Sequence, residues 1–319
     1  MYTSYFGLKE NPFNLTPDPR YLFLSTQHSE ALNHLIYGIN EKKGFIVITG
    51  GIGTGKTTIC RTLLSVLDPS VDSALIFNPS LSEMELLATI NQEFGVKLER
   101  GRPTRKRHIN ALNAFLLKNF SEGRNAVLLI DEAQNLSRGV LEQIRMLSNL
   151  ETEREKLLQI VLIGQPELEK LLRSPSLKQL NERITVKYNV TPFNRDQEED
   201  YIRHRLAVAG GENGFPPFSR LAYRKIHSYS KGIPRRINAI CDRALLIAYS
   251  ADSGAISRKL ISKAASDIGS SYLTDKTKSR RMGEWALLVT LIMVILLLLT
   301  VVMGREAVFD FFSNVHFFE

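Results

Sequence analysis

The sequence predicts an α/β core built on a parallel β-sheet, followed by an all-helical segment and one apolar helix near the C-terminal end. Three observations lead to this fold class. Short, continuous apolar runs alternate with helical patterns as far as residue 190, which is typical of a parallel sheet covered on both faces. After Thr191 only helical patterns remain. Residues 285–303 carry no charged side chain.

The predicted core covers residues 1–190 and begins with an arm, Tyr5–Arg20, that is rich in proline and aromatic residues. We expect this arm to be extended rather than helical. Apolar periodicity and a Ser82-x-x-Glu85 capping box predict the remaining elements. Helices are expected over residues 25–39, 59–67, 82–94, 109–120 and 137–150, and strands over residues 45–49, 74–77, 126–130, 158–163 and 184–190.

The remainder of the chain divides into four parts. Residues 191–268 are predicted to form a small helical lid domain, with helices near residues 195–209, 219–230, 234–250 and 258–268. A polar, basic linker is expected over residues 269–284, a membrane span over 285–303 and a short tail over 304–319.

The most specific pattern is Gly50-x-x-x-x-Gly55-Lys56-Thr57, which lies between an apolar strand and an apolar helix, as a phosphate-binding P-loop requires. Its glycines let the backbone curl so that N–H groups face phosphates, and the helix N-terminus adds partial positive charge. We expect Lys56 to reach the β- and γ-phosphates and Thr57 to hold Mg²⁺. The predicted nucleoside triphosphate ligands in this loop are Gly50, Gly51, Ile52, Gly53, Thr54, Gly55, Lys56, Thr57 and Thr58.

A second apolar strand ends in two acids, Asp131 and Glu132. We expect Asp131 to hold Mg²⁺, directly or through water, and Glu132 to polarise the water that attacks the γ-phosphate. The alternative is a pair of solvated acids at a strand end. Their position after a P-loop favours the Walker B interpretation, and with it hydrolysis rather than binding alone.

The next strand ends at Gln165, on the edge of a parallel sheet that would face the nucleotide. Its amide could orient water or touch the γ-phosphate, and the alternative is a glutamine that caps a loop. Arg183 precedes the last strand, where it could reach the γ-phosphate of a neighbouring subunit and stabilise the transition state. The alternatives are a surface salt bridge, for example with Glu182, and Arg173 in the same role.

Gly232-Ile-Pro-Arg235-Arg236 opens a helix of the predicted helical domain. An arginine at this turn could contact the phosphates within one subunit and report the nucleotide state as the domain closes. Two adjacent arginines at a helix start oppose the helix dipole, which favours an anionic partner. Arg235 is the first candidate, and Arg236 is expected to pack or to form a salt bridge.

Charge and cysteine content place further limits on function. The net charge of +8 suits nucleic acid or anionic lipid, and equally an ordinary solvated surface. The basic connector Arg100–Arg107 could bind nucleic acid, a protein or lipid, although a solvated linker is favoured. Cys60 and Cys241 lie in apolar helical patterns without metal-ligand spacing, which favours a reducing, cytosolic location for most of the chain.

Residues 285–303 are predicted to cross a membrane as a helix. Such a helix would be about 28 Å long, close to the hydrocarbon core of a bilayer, and it is apolar on all sides. The basic residues of the preceding linker predict that residues 1–284 are cytosolic and that the tail is exported. The tail, residues 304–319, is rich in phenylalanine, which suggests an interfacial or partner-binding segment.

Taken in order, these motifs resemble those of AAA+ ATPases. Met1-Tyr-x-x-Tyr-Phe-Gly-Leu8, Pro12-Phe13, Pro17-Asp-Pro-Arg-Tyr21 and Asp131-Glu-Ala-Gln-Asn-Leu136 sharpen the match. They are similar to segments of the general secretion pathway protein A ATPases, the ExeA-like group, and the resemblance covers about residues 1–270. It implies a AAA+ P-loop NTPase core with a helical lid, and a homo-oligomeric ring such as a hexamer that uses ATP and Mg²⁺.

The resemblance also implies a single-pass protein of the bacterial inner membrane, with its ATPase in the cytoplasm and its tail in the periplasm. Such proteins act with a membrane partner of the protein B type to place or assemble a secretin through peptidoglycan in type II secretion. Two features depart from the family. Related ATPases more often have Asn at the position of Gln165, and family members carry a sizeable peptidoglycan-binding region after the span. Here residues 304–319 follow the span, and if they are the whole of the tail, peptidoglycan contact is expected through a partner.

Three other functions remain open from the sequence. ATPases of pilus biogenesis and exopolysaccharide export resemble the same motifs. DNA-handling ATPases of the transposition-regulator type resemble the same core, and the positive charge favours them slightly, but the predicted span disfavours a nucleic acid partner. A nucleotide-gated scaffold with negligible turnover is disfavoured by the acid pair at residues 131 and 132.

Overall fold

The computed structural model describes residues 2–16, 18–77, 80–98, 101–152, 155–211 and 217–269, together with residues 290, 292 and 293. Residues 1–269 form one compact unit, and residues 270–319 form a second. The sheet and the helices that pack on it lie in the first unit.

The described residues contain one parallel sheet of five strands, which confirms the predicted α/β core. The strands are arranged in the order β2-β3-β4-β1-β5, and every pair is parallel. The carboxyl ends of all strands therefore meet at one edge of the sheet. The strands are β1 (Phe45–Gly50), β2 (Val71–Ile76), β3 (Asn125–Ile130), β4 (Gln159–Gly164) and β5 (Ile184–Val190).

Helices cover both faces of the sheet, because successive strand residues point to opposite sides. Ile46 and Ile48 pack under α2 (Thr26–Asn40) and α3 (Lys56–Val66). Phe45 belongs to the cluster on the other face. The helices on that face are α4 (Glu83–Glu93), α5 (Arg105–Ser121), α6 (Arg138–Leu147), α7 (Pro166–Leu172) and α8 (Lys178–Glu182).

Four helices follow the sheet in the described part of residues 191–269, where helical periodicity predicts them. Their contact faces are apolar, and Ile226, Ile240 and Ile261 are fully buried. Because residues 1–269 form one compact unit, the division into a core and a lid domain stays a prediction. The helices are α9 (Arg195–Val208), α10 (Arg220–Ser230), α11 (Pro234–Ser250) and α12 (Arg258–Ile268).

The sequence predicts an extended N-terminal arm, but the arm is not extended along its whole length. Tyr2–Tyr5 forms one helical turn, α1, and Pro19–Tyr21 forms a 3₁₀ turn. Tertiary contacts outweigh the local preference, since the Tyr2 hydroxyl donates a hydrogen bond to Asp242 on α11. The Lys9 amide also donates to the Ala209 carbonyl, 2.8 Å away, so the arm packs on the helical segment.

The basic connector is also shorter than predicted. Helix α5 begins at Arg105 rather than near residue 109, because the Thr104 hydroxyl caps its first turn by accepting from the Arg107 amide at 3.3 Å. Arg105 then lies beside Glu83 on α4, with a 3.2 Å ion pair.

The helices α7 and α8 were not predicted, because a helix of one or two turns shows no clear period.

Among the described residues, no helix is both long and apolar enough to span a bilayer. The predicted span, 285–303, lies outside the described residues except at positions 290, 292 and 293. The linker from residue 270 onward and the tail, 304–319, lie outside them as well.

Candidate active site

A cavity of about 480 Å³ lies at the carboxyl edge of the sheet, between the P-loop, the arm and the helical segment. Most residues that the sequence predicts for nucleotide chemistry line it. The predicted residues in its wall are Ile52, Gly53, Gly55, Lys56, Thr57, Thr58, Glu132, Gln165 and Arg235.

The remaining P-loop residues give the loop its shape. The Thr54 hydroxyl donates to the Gly51 carbonyl at 2.9 Å and so closes the turn. A Cβ atom at Gly50 would lie 2.9 Å from the Val190 carbonyl oxygen on the neighbouring strand. Gly55 has a φ of +99°, in the left-handed region that favours glycine. The glycines are therefore required by the path of the backbone.

Lys56 begins helix α3 and lies under the loop. Its ammonium group donates to the carbonyls of Gly50 and Gly51, at 2.9 and 3.0 Å. Burial lowers the pKa of Lys56, and the nearby carboxylates Glu132 and Asp131 act in the opposite direction. A buried ammonium held at the mouth of the loop is suited to bind phosphate oxygens.

Thr57 and Asp131 form the second contact at the loop. The Thr57 hydroxyl donates to an Asp131 carboxylate oxygen, 2.7 Å away. Asp131 is buried, and its backbone amide donates to the Ile76 carbonyl at the end of β2, which fixes its position. A hydroxyl and a carboxylate at this distance are the hard oxygen donors that Mg²⁺ prefers, so the predicted pair fits that ion.

Glu132 follows Asp131 in a left-handed conformation, with a φ of +53°, which is uncommon for a side chain of this size. Its Oε2 accepts from the amide of Gln134 at 2.6 Å and from the amide of Gln165 at 3.1 Å. The Gln134 Oε1 in turn accepts from the Gln165 backbone amide at 2.9 Å. Gln165 thus contacts the predicted catalytic base, and two amides fix the Glu132 carboxylate.

Sequence reasoning gave Gln134 no role. It did lie within Asp131-Glu-Ala-Gln-Asn-Leu136, a segment used only as a mark of resemblance. His28 was also missed, although it lines the cavity and its Nε2 lies 2.8 Å from the Thr54 carbonyl oxygen. No local signal could identify His28, because its partner lies 26 positions later in the chain.

The first turn of α11 packs directly on the P-loop. The Arg235 amide donates to the Gly53 carbonyl at 3.4 Å, and a Cβ atom at Gly53 would lie 2.8 Å from the Arg235 Cβ. Of the two adjacent arginines, Arg235 is the one that lines the cavity. Gly232, just before this turn, has a φ of +73° and accepts from the Phe193 amide at 2.9 Å. The helical segment and the P-loop therefore meet at Gly53.

A buried carboxylate supports this turn from below. Glu198 on α9 accepts from the Ser230 hydroxyl at 2.8 Å, and Ser230 accepts from the Gly232 amide at 3.0 Å. Burial raises the pKa of Glu198 to about 7, although the hydrogen bonds from Ser230 and Gly232 oppose the shift. No sequence pattern identifies this buried acid.

Arg183 is the one predicted site residue that lies far from the cavity. It immediately precedes β5, whose first residue pairs with Phe45 and whose last pairs with Gly50. One strand length, about 20 Å, therefore separates it from the P-loop edge. Its guanidinium donates to Ser148 and Asn149, each at 2.6 Å, rather than pairing with Glu182 as the alternative supposed. Arg173, its rival, pairs with Glu169 at 3.4 Å.

Comparison with known proteins agrees with this geometry. Residues 39–172 match the AAA domain family. General secretion pathway protein A of Aeromonas hydrophila is 47% identical over 268 residues, which cover 84% of this chain and 48% of that protein. These matches confirm the predicted resemblance to AAA+ ATPases of the general secretion pathway protein A family and the predicted enzyme class, an ATPase.

More distant similarities are found in sequence and in structure. An uncharacterised HTH-type transcriptional regulator of Methanocaldococcus jannaschii is 30% identical over 153 residues, 47% of this ATPase and 36% of that protein. The Aeropyrum pernix ORC2 protein superposes with a TM-score of 0.58 and 17% identity, over 81% of this chain and 71% of that one. Cdc6p of Pyrobaculum aerophilum superposes with a TM-score of 0.61 and 16% identity, over 80% of this chain and 72% of that one. The chain spans half or less of the length of the curated relatives it matches.

Proposed function

We propose that this ATPase binds and hydrolyses Mg²⁺-ATP in the cavity described above, and that the cycle drives assembly of an envelope secretion system. The observation that carries the proposal is the 2.7 Å contact between Thr57 and Asp131, beside Lys56 and Glu132 at one edge of the sheet. An anion-binding loop, a pair of hard oxygen donors and a carboxylate base are the groups that phosphate anhydride hydrolysis requires.

In this proposal the P-loop amides and Lys56 bind the phosphates, and Thr57 and Asp131 hold Mg²⁺. The ion, when bound, offsets the charge on the phosphate oxygens. Glu132 accepts a proton from the attacking water or orients it, and Gln165 keeps its carboxylate in position. Arg235 contacts the phosphates from the helical segment, so that this segment closes on ATP and reopens after hydrolysis.

Arg183 is proposed to act on the site of a neighbouring subunit. A strand length of about 20 Å keeps it from its own cavity, so in this proposal it acts on the site of a second copy of the chain. A guanidinium supplied in this way stabilises charge on the transferred phosphoryl group. The proposal thus includes a ring-type homo-oligomer, for which a hexamer is the expected size.

The membrane part of the proposal rests on residues 285–303 and on the relative named general secretion pathway protein A. We propose that these residues anchor the ATPase in the bacterial inner membrane, with the cavity in the cytoplasm and residues 304–319 in the periplasm. A protein B-type membrane partner would carry the ATP-driven movement across the bilayer, toward a secretin and the peptidoglycan around it.

The ATPase part is tested with two variants of the full chain. Lys56→Ala is expected to lose Mg²⁺-ATP binding in calorimetry, because it removes the buried cation at the loop. Glu132→Gln is expected to bind Mg²⁺-ATP with unchanged affinity but to release phosphate at least about 100-fold more slowly. Lys170→Ala and Glu122→Gln change exposed residues and serve as controls. Normal turnover by Glu132→Gln would show that the base is assigned to the wrong residue.

The membrane part is tested by cell fractionation. The full chain is expected in the inner-membrane fraction, and a variant lacking residues 285–303 is expected in the soluble fraction. Detergent extracts of the full chain should retain a protein B-type partner that the shortened variant loses. A shortened variant that stays with the membrane would rule out these residues as the anchor. Salt-dependent binding to non-specific duplex DNA would favour a DNA-handling function instead.

A further inference from the structure

His28 lies between the P-loop and the start of the helical segment, and its side chain is 4% exposed. Its Nε2 lies 2.8 Å from the Thr54 carbonyl oxygen, and its Nδ1 lies 2.9 Å from the Ser25 hydroxyl. The ring packs edge-on against Phe193, with the centroids 5.4 Å apart. Three contacts on three sides therefore fix the orientation of the ring.

The contacts also determine which nitrogen carries the proton. A carbonyl oxygen can only accept, so the nitrogen facing Thr54 must be an N–H donor. In a neutral imidazole Nδ1 is then an acceptor, and it faces the Ser25 hydroxyl, which can donate to it. Burial lowers the pKa of His28, which agrees with a neutral ring at physiological pH.

The hydrogen bond to Thr54 has a consequence one atom away. The Thr54 carbonyl and the Gly55 N–H belong to the same planar trans peptide group, so they point in opposite directions. When the carbonyl is held toward His28, the Gly55 N–H is turned away from His28, into the loop. Gly55 lines the cavity directly before Lys56. The orientation of one phosphate-facing amide thus depends on the donor at His28.

The space around the ring agrees with this dependence. A Cβ atom at Gly55 would lie 2.6 Å from the His28 Nε2, closer than two such atoms approach. The imidazole therefore occupies the volume that a side chain at Gly55 would need. Beyond the ring, Gln27 accepts at 2.8 Å from Gln197 on α9, so this end of α2 is also tied to the helical segment.

We propose that His28 is a positioning residue for the nucleotide. Its Nε2–H group fixes the Thr54–Gly55 peptide so that the Gly55 amide faces the phosphates before ATP arrives. His28 itself need not touch ATP. The proposal rests on the nucleotide site proposed above and assigns a role to a residue outside the P-loop, Walker B and arginine motifs.

Two polar substitutions separate this role from simple filling of space. The amide of His28→Gln can reach about as far as Nε2 and can donate to the Thr54 carbonyl. The shorter His28→Asn can reach the Nδ1 position, near Ser25, but not Thr54. His34 lies on the same helix, is exposed, and has its ring tilted against that of Tyr188, so His34→Asn is the matched control.

The experiment measures the Mg²⁺-ATP dissociation constant of the full chain by calorimetry, and the Tm without nucleotide. His28→Asn is expected to weaken ATP binding about 10-fold, as for the loss of one hydrogen bond that orients a phosphate ligand. His28→Gln is expected to stay within about threefold of the unsubstituted chain. His34→Asn should leave the dissociation constant unchanged.

Equal weakening in His28→Asn and His28→Gln, or unchanged affinity in His28→Asn, would overturn the role of His28. The role would also be overturned if the loss of ATP affinity in each variant were simply proportional to its fall in Tm. That result would indicate that His28 only packs. Failure of the unsubstituted chain to bind Mg²⁺-ATP would overturn the proposed nucleotide site itself. The two failures are therefore distinguishable.

Discussion

The two edges of the sheet carry polar residues of different kinds. At the carboxyl edge, Lys56, Asp131 and Glu132 lie within hydrogen-bonding reach of loop and amide groups around one cavity. At the opposite edge, Arg183 donates to Ser148 and Asn149, away from that cavity. The first edge holds most of a reaction site within one chain. The second holds a cation that can serve such a site only in another chain.

Under the proposed function, this difference would separate the reaction from its regulation. The proposed phosphate-binding groups follow the strands directly, so folding of one chain brings them together. Arg183 lies one strand length away, so in the proposal it reaches ATP only when subunits meet. Variants at the two edges should therefore differ in whether a second subunit can restore activity.

The largest expected effect belongs to the distant edge. Arg183→Ala should lower the rate of phosphate release at least about 100-fold while leaving Mg²⁺-ATP affinity unchanged, because the guanidinium acts on the transition state of a neighbour. Mixing it with Lys56→Ala subunits should restore part of the activity. The intact P-loop of an Arg183→Ala subunit can then face the intact Arg183 of a Lys56→Ala subunit.

Arg173→Ala is the matched control, since this exposed arginine pairs with Glu169 on the helix that it follows. It should change turnover little. Loss of ATP affinity in Arg183→Ala, or no recovery in the mixture, would mean that Arg183 supports the fold and not a neighbouring site. A large loss in Arg173→Ala alone would move the role to that residue.

A smaller effect is expected at the carboxyl edge. Gln134→Ala removes one of the two amides that hold the Glu132 carboxylate, at 2.6 Å. We expect kcat to fall about 10-fold with little change in KM, as for loss of a charge-assisted hydrogen bond that acts on the base. Unlike Arg183→Ala, this variant should not recover activity on mixing with Lys56→Ala subunits.

Gln92→Ala, at an exposed position on α4, controls for the removal of a glutamine. Steady-state phosphate release at several ATP concentrations separates kcat from KM. If KM rises and kcat stays constant, then Gln134 contributes to ATP binding and does not position the Glu132 carboxylate for the reaction.

The smallest effect concerns a polar cluster at the distant edge that serves the fold alone. Asp72 on β2 accepts from Arg124 Nε at 3.0 Å and from the Asn119 amide. Partial burial acts to raise the pKa of Asp72, but the hydrogen bonds from Arg124 and Asn119 lower it overall. Asp72→Asn should reduce the free energy of unfolding by about 1 kcal/mol at pH 7, with unchanged turnover.

The lowered pKa of Asp72 determines how its contribution to stability depends on pH. A carboxylate whose pKa is lower in the folded state stabilises the protein above its unfolded pKa of about 3.9, and this contribution is lost as the pH falls below it. The difference between Asp72→Asn and the unsubstituted chain, measured by urea unfolding, should therefore shrink below about pH 4. Asp200→Asn, at an exposed position on α9, should show a smaller difference at pH 7. A difference independent of pH would show that charge is not the cause.

The P-loop and the acid pair could be predicted because their chemistry depends on consecutive residues after a strand. The start of α5 is also predictable from the sequence, since Thr104 is a good helix N-cap residue. The roles of His28 and Gln134 could not be predicted. His28 contacts Thr54 only after α2 packs beside β1. Gln134 contacts Gln165 only when β4 brings that residue next to it.

If the helical segment opens from the core as proposed, the N-terminal arm limits how far it can move. Arg205 on α9 holds the arm at the carbonyls of Pro12 and Asn14, while Ser25 begins α2 on the core. The chain between residues 14 and 25 is therefore a strap with one end on each side of the cavity. Fully extended, it reaches about 36 to 40 Å. However the helical segment moves during a cycle, it cannot travel beyond that length unless Arg205 first releases the arm.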